Sequence, residues 1–67
     1  MKLFIWTDVL YDYTAGMAVA IGADLPAALR AMEKTDASAA RLLGRPTRII
    51  DLDKIKSPAA WTCWGGG

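Results

Sequence analysis

The side chains best suited to move protons or hold metals in this 67-residue chain are seven carboxylates and one thiol: Asp8, Asp12, Asp24, Glu33, Asp36, Asp51, Asp53 and Cys63. There is no histidine, which removes the commonest general base and the usual partner of a catalytic serine or cysteine. Cys63 then has neither a second nitrogen or sulfur ligand for zinc nor a sequence-evident activator, and reads as a small apolar residue. Asp51 and Asp53 flank Leu52 beside Lys54. Two carboxylates so placed supply too few oxygens for a hard cation, and the segment reads as a solvated strand end. Asp24 and Asp36 each precede a helical pattern and read as caps. The glycines of GMAVAIGAD lack both GxGxxG spacing and a Walker lysine, so no phosphate cradle is expected. The expectation is a protein without metal, cofactor or catalytic apparatus.

The elements that must position these residues follow from local pattern. KLFIWTDVL (2–10) and GMAVAIG (16–22) read as two strands, rich in β-branched and aromatic residues. YDYTAG between them supplies the turn chemistry of an antiparallel hairpin. Asp24 with Pro26 in the first turn starts a helix at about Leu25, whose Leu25, Ala28, Leu29 and Met32 form one apolar stripe. Thr35 and Asp36 can cap a second short helix, DASAARLL, which Gly44 and Pro46 end; a single continuous helix over 25–43 is the alternative. TRIIDL (47–52) reads as a third strand, and AAWTCW as a fourth. The predicted fold class is a two-layer α+β domain over residues 1–64. Its small antiparallel sheet of about four strands, in chain order strand, strand, helix, strand, strand, carries one or two helices on one face. Gly65–Gly67 read as a flexible tail.

A chain this short buries only about 60% of the surface its unfolded form exposes, so the core must be small. With 54% hydrophobic and 22% charged residues, it still has enough apolar surface to fold. The formal net charge of +1 excludes both a strongly basic nucleic-acid binder and a wholly acidic mimic of DNA. One cysteine permits no internal disulfide and suits a reducing compartment, the cytoplasm. The apolar run 15–23 falls short of the roughly 20 residues that cross a bilayer, so no membrane association is expected. Residues 25–56 carry seven basic against four acidic side chains, which read as solvated surface.

Strand parity raises a separate question. Leu3, Ile5, Thr7 and Val9 share one face of the first strand, while Phe4, Trp6 and Leu10 share the other with Asp8. Both faces carry apolar bulk, yet one helical layer covers one face. The second face is left for the terminal segment, another copy or a partner. In the tail, Trp61 is expected to close over the sheet as part of the fourth strand, with Trp64 on the opposite side. The hairpin tip offers two tyrosines beside a carboxylate, a surface suited to a basic group on a partner. The candidate partner-binding residues are therefore Trp6, Asp8, Tyr11, Asp12 and Tyr13 on the hairpin and adjoining strand, with Trp64.

KLFIWTDVLYDYTAG and the closing WGGG resemble a group of very short phage-encoded proteins. These open on a K-L-aromatic-apolar-W strand, continue through a V-L-x-D-Y-T-x-G hairpin and an alanine-rich charged helix, and close on an aromatic-glycine tail. The likeness is strongest over residues 2–16 and 61–67, and falls on Trp6, Val9, Leu10, Asp12, Tyr13, Thr14, Gly16 and Trp64 to Gly67. It implies a non-catalytic inhibitor of a host defence complex in the cytoplasm of an infected bacterium. An anti-CRISPR protein that blocks a multi-subunit CRISPR effector from its target DNA is the concrete form. Binding to the host protein complex would be stoichiometric, by a monomer or homodimer, without direct contact to nucleic acid. The alternative is a small homodimeric assembly or scaffolding module.

Overall fold

A computed structural model describes residues 1–12, 14–62 and 64. Strands β1 (Lys2–Asp12) and β2 (Thr14–Gly22) form an antiparallel hairpin, as the two β-rich runs predict. Helices α1 (Leu25–Thr35) and α2 (Ala37–Leu42) follow, then β3 (Arg48–Asp51) and a single 3-10 turn, Leu52–Lys54. The sheet has the order β2-β1-β3 with both pairings antiparallel. The α+β class and the helical layer agree with the sequence pattern.

The strand count differs. Among the described residues the sheet has three strands, not four, and the segment from Ile55 to Thr62 is irregular. Pro58 cannot donate to a ladder, and the 3-10 turn has already carried the chain away from β3. Cys63, Gly65–Gly67 and Tyr13 lie outside the described residues.

Two helices form rather than one. Asp36 has an extended backbone (φ −155°, ψ 93°), so it ends α1 and starts α2. Its N–H donates to the Met32 carbonyl at 2.7 Å, and its Oδ1 accepts from the Ala39 N–H at 3.0 Å. Asp24 caps α1 in the same way, accepting from the Ala27 N–H at 2.9 Å.

The core lies between the helices and one sheet face. It is built from Phe4 and Trp6 of β1, Ala18 and Ala20 of β2, Ala28 of α1 and Leu43, with Leu25, Leu29 and Met32 packed against it. The predicted apolar stripe of α1 is thus the one that is used. Small residues on β2 let the helix approach closely: a Cβ on Gly22 would sit 2.6 Å from the Ala28 nitrogen. The Trp6 indole N–H, buried with its ring, donates to the Gly44 carbonyl at 2.8 Å and ties β1 to the loop after α2.

Strand alternation breaks in the second half of β1. Asp8 and Leu10 have left-handed backbone (φ 56° and 54°), and the register slips against β2 between Thr7 and Val9 and again between Val9 and Asp12. Each slip is a bulge, with one more residue on β1 than on its partner. The first bulge carries Val9 from the Leu3, Ile5 and Thr7 face to the core face, where it packs with Leu10. Strict parity had placed it on the other side. Gly16 makes the bulge possible, since a Cβ there would lie 3.1 Å from the Val9 carbonyl oxygen and 3.3 Å from that of Leu10.

Candidate binding surface

The opposite face of the sheet carries no helix. Register puts Leu3, Ile5 and Thr7 of β1 beside Ile21, Val19 and Met17 of β2, with Arg48 and Ile50 of β3 completing the rows. Ile5 and Ile50 are buried here, but Met17, Val19 and Ile21 remain 45%, 50% and 51% exposed. Three large apolar side chains at alternate positions of one strand make a continuous strip.

The terminal segment crosses part of this face. Trp61 lies against Arg48, whose guanidinium carbon is 5.3 Å from the ring centroid, a cation-π arrangement. A groove of about 310 Å³ lies between this pair and β2, floored by Leu3, Ile5, Met17 and Val19. Trp61 keeps 42% of its surface in solvent, so it walls the groove rather than closing the sheet as the strand reading required. Thr47 fixes the approach of β3: its N–H donates to the Ile5 carbonyl at 2.7 Å, and its Oγ1 accepts from the Thr7 N–H at 3.0 Å.

The residues singled out from sequence are divided by the fold. Trp6 is 1% exposed and belongs to the core, which leaves it no surface to offer. Asp8 is exposed at the first bulge, and Tyr11 is exposed near the hairpin end. Asp12 ends β1, and Tyr13 lies outside the described residues. Trp64 is 91% exposed. The apolar strip and the Arg48–Trp61 pair were not singled out. The strip had a signal in GMAVAIG, where small residues alternate with large ones, so that a helix packed on the small side leaves the large side bare. Nothing local in the sequence couples Arg48 to Trp61.

Four of the seven carboxylates have structural occupations. Asp24 and Asp36 cap helices, while Asp51 accepts from the Asp53 N–H at 3.1 Å and approaches Lys54 at 3.9 Å. Asp53 pairs with the amino group of Met1 at 2.8 Å. Among the described residues no group of three or more Asp, Glu, His or Cys side chains is placed to hold a metal ion. No helix among them is long and apolar enough to cross a membrane.

No family model, curated protein or solved structure matches the chain.

Proposed function

We propose that this protein acts by binding, as an inhibitor of a host defence complex, and that the uncovered sheet face is its contact surface. The observation that carries the reading is the row Met17, Val19 and Ile21, half exposed beside the groove that Arg48 and Trp61 wall. An apolar centre bordered by an aromatic side chain and an arginine has the composition of a protein contact region, where those residue types concentrate binding energy. Asp24 and Asp36 serve as helix caps and Asp51 and Asp53 as partners in hydrogen bonds and ion pairs, which favours stoichiometric binding over turnover.

The resemblance to short phage proteins gives the partner its class, a multi-subunit CRISPR effector in the bacterial cytoplasm. Exposed Tyr11 and Trp64 would extend the contact beyond the groove. The test is affinity capture from a bacterium carrying such systems, combined with a phage restriction assay. The expected outcome is recovery of effector subunits and relief of restriction by the native chain. Trp61→Ala should weaken both by about tenfold, a typical effect for an aromatic anchor. Recovery of no defence component together with unchanged restriction would refute the reading.

A further inference from the structure

The two edges of the sheet are built differently. β3 has only four residues, is charged at both ends by Arg48 and Asp51, and follows Pro46 closely. These are the usual devices that keep a sheet edge from pairing. β2 has none of them. It is nine residues long, carries neither charge nor proline, and from Met17 to Gly22 runs in unbroken register with β1. Both bulges fall on β1 opposite the far end of β2, so the stretch Met17–Gly22 stays regular.

A groove of about 380 Å³ follows this edge. Val19 and Ile21, with Leu3 of β1 behind them, reach it from the bare face, Ala20 from the helix face, and Ala31, Met32 and Thr35 from α1. Lining from both faces of a sheet can meet only around the free side of a strand. The recess therefore lies where a further strand would add.

We infer that β2 pairs with β2 of a second copy of this chain, antiparallel about a two-fold axis at Val19, to make one six-stranded sheet. The occupant follows from the sequence of the edge. A dyad at Val19 sets Met17 opposite Ile21 and Val19 opposite itself, so large apolar residues meet large ones on the bare face. On the other face Ala18 meets Ala20 and Gly16 meets Gly22, so only small residues lie beneath the two α1 helices. No charge is placed against its own copy anywhere in the ladder. The bare faces of both copies end on the same side and join into one strip.

Sedimentation velocity of the purified chain, from low micromolar to millimolar concentration, tests the pairing without any defence component present. A monomer–dimer equilibrium is expected. Val19→Lys and Val19→Glu, each opposing like charges across the axis, should weaken association by about tenfold or more, and an equimolar mixture of the two should regain it. A monomer throughout, variants that associate as well as the native chain, or a mixture that does not recover would each overturn the proposal. If either variant loses its circular dichroism spectrum, hydrogen exchange of the native chain decides. Protection of amides within 16–22 that rises with concentration supports the pairing, and concentration-independent exchange refutes it.

Discussion

Two residues, Trp6 and Asp8, show how side chain and backbone are read separately. Trp6 combines the largest fully buried side chain among the described residues with a directed hydrogen bond to Gly44. Trp6→Ala should destabilise the fold by about 3 to 5 kcal/mol through the cavity it leaves. Trp6→Phe, which keeps a ring but drops the donor, should cost about 1 to 2 kcal/mol, since water can reach the exposed Gly44 and replace the bond. Urea denaturation of both variants checks the ranking. At Asp8 the exposed side chain matters less than φ 56°. Asp8→Gly should raise stability by up to about 1 kcal/mol, and Asp8→Val should lower it by about 1 kcal/mol or more, because a β-branched residue is strained in the left-handed region. Equal melting temperatures for the two would mean that the bulge has no fixed conformation.

At the scale of elements, contact between α1 and β2 sets the thickness of the two layers. Gly22→Ala would drive a Cβ into the backbone of Ala27 and Ala28, at 3.0 and 2.6 Å. The helix must shift or the hairpin bend, at a cost of about 1 to 3 kcal/mol, measurable in a thermal melt. Helix caps, the stripe of α1 and the hairpin were all legible because each rests on residues near in sequence: Asp24 to Ala27, Asp36 to Ala39, and the polar interval between two β-rich runs. The fourth strand was misread because AAWTCW has strand-like residues but no free edge to which Pro58 and the 3-10 turn deliver it. The groove was invisible for a related reason. Its Arg48–Trp61 wall joins two exposed residues of separate segments, whose pairing is settled only when β3 has docked on β1.

For the whole molecule, Trp61 belongs to the surface economy more than to stability. Half-exposed and stacked on an exposed guanidinium, it should cost about 1 kcal/mol on replacement by alanine, well below the value for a buried tryptophan. A large fall in melting temperature for Trp61→Ala would instead make the terminal segment part of the core. A chain this small has one helical layer to spend on two apolar faces, and the layer goes to the side whose β2 residues are alanine and glycine. The bulge at Asp8 then acts as a phase slip in the sidedness of the hairpin. Before it, odd-numbered positions of β1 look outward; after it, Val9 looks in. A surface redesigned by strict alternation would therefore put polar groups into the core at Val9. Deleting the single residue Asp8 would remove the slip and leave Val9 directly after Thr7, facing inward by ordinary alternation, so Asp8 is the one inserted residue that separates the numbering of the strand from its sidedness.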